Sequence, residues 1–290
     1  MERIQIKKII NTAKIEFKKW ILDPRMLVLA VLMIFIHSMV ISPLIENAEI
    51  MGEKINILEP FIAVMNSGVV ILILPLCFMA LIADFPKIDT NTVFIISRMG
   101  RKNWVLAQLT KLFFMAISFL LVVFIVSTGL VVLKGNVSGE WSKVITDFSE
   151  KFPKYSSNAG ARLIPLNLYY QFPVAQAAVL SFLFVFLYLF IIGLILLFFS
   201  IYRMKTAGFV ACGLVVCLGA ATFAIGSNFQ WLFPMANALI WIHKSTVIRE
   251  GIYPMAASVA YLTIVPVILT IFCCIGVRNF NYDNITEVVY

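Results

Sequence analysis

Residues 172–202 read FPVAQAAVLSFLFVFLYLFIIGLILLFFSIY, from Phe172 to Tyr202, without one charged side chain. A helix crosses the ~30 Å hydrocarbon core of a bilayer in about 20 apolar residues, and this stretch exceeds that length. Its Val, Leu, Ile and Phe run continuously and lack the two-residue alternation of a membrane β-strand. In lipid such a run must be helical, because only a helix satisfies every backbone N–H and C=O within the segment.

Five more stretches free of Asp, Glu, Lys and Arg flank it: Met26–Ile45, Pro60–Ala83, Leu112–Leu133, Thr206–His243 and Gly251–Val277. Spans are therefore expected near residues 26–45, 60–83, 105–133, 174–202, 206–226 and 255–277. The composition agrees, with 61% hydrophobic and 13% charged residues and a mean hydropathy of +0.97. Soluble domains carry about 25% charged residues, so this chain could not cover a water-facing surface. A cytosolic enzyme, a disordered chain and a secreted disulfide scaffold are excluded. The expected fold class is an all-α membrane protein: six transmembrane helices, an N-terminal amphipathic elbow helix and an outer re-entrant segment.

Thr206–His243 is 38 residues long, roughly 57 Å as one helix, too long for a single crossing. It divides at Gly226-Ser227-Asn228. The remainder, Trp231–His243, holds Pro234, Asn237 and two Trp, and reads as a re-entrant or interfacial segment. A seventh span is the alternative.

The net charge of +8 is read by position. With the N-terminus inside, the inner segments hold 15 of the 23 Lys and Arg, while the acidic residues divide almost evenly between the two sides. This positive-inside pattern places both termini in the cytoplasm of a multi-pass plasma-membrane protein. The basic charge thus reports topology and not nucleic-acid binding. No cleavable signal peptide is expected. All five Cys (Cys77, Cys212, Cys217, Cys273, Cys274) fall inside expected spans, without a CxxC, and read as small apolar filler.

Segments between the spans carry the remaining information. In residues 1–25, plotted at 100° per residue, Ile6, Ile10, Ala13, Phe17 and Trp20 form one stripe. Lys7, Asn11, Lys14 and Lys18 form the neighbouring arc. This is the pattern of a helix lying in the interface with its Lys toward anionic lipid. Asp23-Pro24 ends it, because proline disfavours helix in the residue before it. A plain topogenic flank is the alternative.

The cytoplasmic loop 84–104 frames a short apolar piece, Val93–Ile96, with Asp89-Thr90-Asn91-Thr92 before it and Ser97-Arg98-Met99-Gly100-Arg101-Lys102 after it. Thr90 or Thr92 suits a helix N-cap and Gly100 a left-handed end. Phe94 and Ile95 on an exposed loop suit a docking surface. A simple turn with membrane-facing basic residues reads equally well. In the outer loop 134–173, Trp141, Val144, Ile145, Phe148 and Phe152 recur at helical spacing, and one amphipathic helix is expected there.

Catalytic signatures are missing: the chain has no GxxxxGK[ST], HExxH or GxSxG. No Asp, Glu, Lys or Arg stands mid-span. The polar residues within the spans, His37, Asn66 and Ser67 foremost, are the candidates for a transport pathway. No metal site is expected.

Taken together, these parts resemble the permease subunits of ABC-2-type transporters, the type V exporter fold, in a diverged bacterial form. Glu16-Phe17-Lys18-Lys19, then Trp20 and Asp23-Pro24-Arg25 before the first span, resemble that family's elbow helix and Asp-Pro-Arg entry. The loop through Ser97-Arg98-Met99-Gly100-Arg101 to Trp104 and Lys111 is similar to the one holding the family's coupling helix. Asp89-Thr90-Asn91 stands where the family more often has an acidic residue and Gly. Trp231–Pro254 resembles its re-entrant outer helices.

The resemblance implies a permease that is not itself an enzyme. A separate cytosolic P-loop ATPase would bind the ATP and Mg and dock on Asp89, Thr90, Phe94, Ile95, Arg98 and Arg101. A second permease chain would complete the pathway, within membrane lipid. The scarcity of mid-span charge suits an amphiphilic or peptide-like cargo. The alternatives are an accessory membrane subunit that moves nothing, a secondary transporter or a membrane enzyme.

Overall fold

The computed structural model describes residues 4–87, 90–133, 135–155, 163–243 and 251–277. Its long elements are helices, and Asn56 and Asn136 form an isolated β-bridge. Five helices are long and apolar enough to cross a membrane, or six if one sharply bent pair counts as a single span. The chain is thus a multi-pass, all-helical membrane protein.

Helix α1 (Ile6–Ile21) precedes the first span and lies on the bundle. It buries Ile9 and Ala13 and leaves its Lys residues exposed. A short 3₁₀ turn, Pro24–Met26, leads into α2 (Leu27–Ile36), a π-turn at His37–Ile41 and α3 (Ser42–Met51). The π-turn and α3 prolong α2 into one 28-residue span.

The second span departs from the continuous 60–83 helix expected. In its place stand two helices, α4 (Glu59–Asn66) and α5 (Val70–Leu81), bent by 83° at their junction. Pro75, a residue type that commonly kinks helices, sits inside α5 and does not mark the bend. The break lies at Ser67-Gly68-Val69. Ser67 takes an extended conformation, and the Asn66 side chain donates back to the Ile62 carbonyl, competing with helix continuation.

Within the loop 84–104, the short helix expected between Thr90 or Thr92 and Gly100 is present. The loop holds this helix, α6 (Thr90–Met99), and, after Gly100 at φ +86°, the start of α7 (Arg101–Gly129). The positive φ lets the chain turn between two helices without a gap, a conformation glycine adopts at little cost.

Beyond α7, the single helix expected across Trp141–Phe152 is two short ones, α8 (Lys143–Thr146) and α9 (Phe148–Lys151). They separate at Asp147, whose carboxylate accepts a hydrogen bond from Thr146 and pairs with Lys151. Val144 and Phe148 are buried, so the pair caps the bundle. Trp141 lies outside both and donates to the Phe172 carbonyl at 2.8 Å.

After α10 (Leu166–Tyr169), the uncharged run Phe172–Tyr202 forms α11 (Val174–Ile201), the central helix. It packs against α4, α5, α7, α12 and α14. Gly193 allows α7 to come close, because a Cβ there would collide with Leu112. Helix α12 (Lys205–Ile225) ends at Gly226, φ +69°. A 3₁₀ turn at Asn228–Leu232, α13 (Pro234–Ala238) and a second 3₁₀ turn at Ile240–His243 follow, each too short to cross. The last span, α14 (Met255–Gly276), contains Pro266. All five cysteines are free and sit in α5, α12 and α14.

Candidate functional site

Charged residues brought in by four elements meet at the face that carries the N-terminus. On α1, Glu16 reaches α7, where Lys111 Nζ lies 3.0 Å from its carboxylate. Gln108 Nε2 donates to both carboxylate oxygens at 3.2 and 3.0 Å. The Lys111 ammonium also stands 5.5 Å from the Phe85 ring centroid. Lys111 is 7% exposed, so its charge needs these partners.

The elbow residues serve the same junction. Phe17 stacks on Trp20 at 5.7 Å and packs on Phe114 of α7 at 5.8 Å. Trp20 Nε1 donates to the Leu81 carbonyl at 2.9 Å, satisfying a free acceptor at the end of α5. Asp23 accepts from the Arg25 backbone N–H at 2.9 Å and so caps the turn opened by Pro24. The Arg25 guanidinium then reaches Asp84, just past α5, at 2.6 Å. Lys18 points to solvent and shares none of these contacts.

Helix α6 rests beside this junction. Ile96 and Met99 are buried, whereas Phe94 is 68% exposed and Ser97 and Arg98 are exposed with it. Thr90 begins the helix and Arg101 begins the next, while Asp89 lies outside the described residues. Ile95 is half-buried and lines a cavity of about 290 Å³ between α1, α5, α6 and α7, together with Glu16, Trp20, Asp23, Asp84 and Lys111. Two contacts tie α1 to the α6–α7 corner. Thr12 Oγ1 donates to Met99 Sδ at 3.8 Å, and Gln5 N to Asn103 Oδ1 at 3.2 Å.

The three polar residues chosen as pathway candidates do not form one group. Asn66 is buried at the break in the second span, where its Nδ2 donates to Ser181 Oγ of α11 at 2.8 Å. Its backbone carbonyl accepts from Trp241 Nε1 at 3.1 Å. Ser67 Oγ, next to it, accepts from the Val70 N–H at 3.4 Å. His37 instead faces outward in the π-turn.

Two polar clusters at the opposite face were not foreseen. Glu59, fully buried, accepts from Asn56 N at 3.1 Å and from Ser142 N and Oγ at 2.6 and 2.7 Å. Asn56 Nδ2 donates in turn to the Ser138 carbonyl at 2.7 Å and the Glu140 carbonyl at 3.1 Å. These clamp residues 136–142 to the top of α4. In the second cluster, His243 Nε2 lies 2.8 Å from Ser258 Oγ, which donates to Asn237 Oδ1 at 2.7 Å. Asn237 Nδ2 donates to the Trp231 and Phe233 carbonyls, both at 2.9 Å. Burial disfavours the imidazolium and holds the His243 pKa below its usual value, against the opposing pull of the Ile240 and Leu239 carbonyls. A carboxylate beside the helical run at Pro60 was the available signal for the first cluster. Nothing in the spacing of Asn237, His243 and Ser258 marked the second.

No group of three or more His, Cys, Asp or Glu among the described residues could hold a metal ion. The face that carries the N-terminus presents the Glu16–Lys111 and Arg25–Asp84 ion pairs and the exposed Phe94 ring. Comparison with protein-family models, with curated proteins and with solved structures finds no match in any of the three.

Proposed function

We propose that the chain is the permease subunit of an ATP-driven, ABC-2-type exporter in a bacterial plasma membrane, with both termini cytoplasmic. Two permease copies form the pathway, and a separate cytosolic P-loop ATPase supplies the driving force from ATP and Mg. One observation carries this reading: α6 buries one side in the N-terminal face and exposes Phe94, with Ser97 and Arg98 beside it. A large exposed aromatic ring next to a cation is what a soluble partner's pocket would take as an anchor.

The contacts behind α6 support a role in coupling. Displacement of α6 reaches α7 through Gly100 and α1 through Met99 and Asn103. From α1 it passes to α5 through Trp20 and to α7 through Glu16. Arg25 and Asp84 join the feet of the first two spans. A push on one exposed helix would thus move three spans together, the kind of rigid transmission that an alternating pathway requires. The cargo consistent with the apolar spans is amphiphilic or peptide-like.

The test is a gentle-detergent pull-down of the tagged chain from its native cells, with mass spectrometry and a size measurement. A P-loop ATPase in a two-to-two complex is expected. Replacing Phe94 and Arg98 together with Ala should release or uncouple the ATPase while the chain still inserts. Recovery of the chain without an ATPase, even after mild crosslinking, would overturn the permease reading in favour of a secondary transporter or a membrane enzyme. Normal copurification and normal cargo-stimulated ATPase in the double variant would remove the docking role from α6.

A further inference from the structure

His37 stands at the middle of the 28-residue span Pro24–Met51, in its π-turn. Its side chain and that of Ser38 are exposed on the surface of the single chain. Among the described residues the imidazole has no hydrogen-bond partner, although the His37 backbone carbonyl accepts from Ser42 N in the wider π pattern. An ionisable or strongly polar side chain at the bilayer midplane is costly against acyl chains, and such residues almost always face protein or a water-filled cavity. π-turns inside α-helices recur at functional positions.

The exposed side of the same helix has a regular spacing. Leu27, Val31 and Ile34 are 72%, 66% and 71% exposed, and Ser38 continues the row. Steps of four, three and four residues make the seam along which two helices pack side by side. Ala30 and Ser38 are small, which lets two backbones approach. A two-fold axis along the membrane normal keeps equal residues at equal depth. A second copy therefore sets a polar pair, His37 and Ser38, opposite the first copy's polar pair, at the one depth where lipid offers neither a donor nor an acceptor.

We infer that the Leu27–Ser38 face of the first span is the surface on which a second copy of this chain packs, with His37 hydrogen-bonding across the interface. The inference rests on the two-copy permease reading and adds the residues that would join the copies.

Ser38→Cys, a near-isosteric change, tests it in native membranes under mild oxidation. Cys217 is already exposed on α12, so the parent chain is the control for crosslinking through another membrane-facing helix. Particle size in lipid nanodiscs reports the number of copies independently. A dimer by size, with a disulfide-linked dimer formed by Ser38→Cys and not by the parent, is the expected result. His37→Leu should weaken the dimer roughly three- to thirty-fold, the range for one hydrogen bond between membrane helices. A dimer by size without the Ser38→Cys crosslink, or one untouched by His37→Leu, would overturn this interface and leave the two-copy reading standing. A particle containing a single copy would overturn both.

Discussion

The carboxylate of Glu16, on the helix before the first span, lies 3.0 Å from the ammonium of Lys111, on the third span. Ninety-five residues of chain separate them, and both side chains are largely withdrawn from water, at 18% and 8% exposure. The pair and Trp20 hold the C-terminal part of α1 to the bundle, Gln5 and Thr12 hold its N-terminal part, and Arg25 secures the turn that follows.

Removing one partner strands the other charge, so Glu16→Ala should cost about 3 kcal/mol, near the low end for a broken buried pair. Glu16→Gln with Lys111→Met removes both charges and should recover most of that loss. Thermal unfolding of the protein in nanodiscs would check it. A loss in the double variant equal to the sum of those in Glu16→Gln and Lys111→Met alone would show that the two charges do not act as a pair.

Gly193 and Gly213 provide a matched contrast. A methyl group at Gly193 would strike Leu112, whereas one at Gly213 meets nothing within 4 Å. Gly193→Ala should destabilise by about 1–3 kcal/mol through overpacking. Gly213→Ala, on an open helix face, should be neutral or stabilise by up to about 1 kcal/mol through helix propensity. Equal unfolding temperatures for the two variants would contradict the close approach of α7 to α11.

Glu59 holds the segment 136–142 through Ser142. In Glu59→Gln, one position that now accepts hydrogen bonds becomes an NH₂ group facing other donors. The loss of charge-assisted bonds is worth about 2 kcal/mol, and the clamp should open more often. Limited proteolysis from that side should cut within 136–142 several-fold faster in the variant, with the rest of the digestion pattern unchanged.

His243 gives a pH dependence of known sign. Its folded-state pKa lies below the usual value, so the unfolded chain binds a proton more readily. Stability from this group is complete above about pH 6.5 and is lost as pH falls through the folded-state value. His243→Gln removes the titration. The difference in unfolding temperature between parent and variant should therefore change between pH 7.5 and pH 5, with the parent losing more on acidification. A constant difference would show that His243 binds its proton equally well in the folded and the unfolded chain, against the lowered folded-state pKa.

The helical character of α1 was legible in its spacing, but only part of the expected stripe turns inward: Ala13 is buried and Phe17 and Trp20 are half-buried, whereas Ile6 and Ile10 are exposed and Ile9 is buried in their place. The Asp23-Pro24-Arg25 entry was legible as a helix break, but the reach of Arg25 to Asp84 depends on where α5 ends in space. The break at Asn66 was hidden because every residue around it is apolar or small. Pro75, the visible helix breaker, is accommodated within α5. Likewise, the spacing from Trp141 to Phe152 suggested one helix, whereas Asp147 and the anchoring of Ser142 by Glu59 divide it.

The membrane-spanning, all-helical nature of this protein was determined by its sequence alone. Lipid offers no hydrogen bonds, so a long uncharged run has one stable backbone solution whatever its neighbours are. Tertiary structure alone decided which polar residues meet. Glu16 with Lys111, Asn66 with Ser181 and Trp241, and His243 with Ser258 and Asn237 are joined across helices distant or separated in sequence. Hydrophobicity varies little around these spans, so the periodicity holds almost no record of which face turns inward. Packing of particular side chains sets the rotation of each helix, and with it the partner that each buried polar group finds.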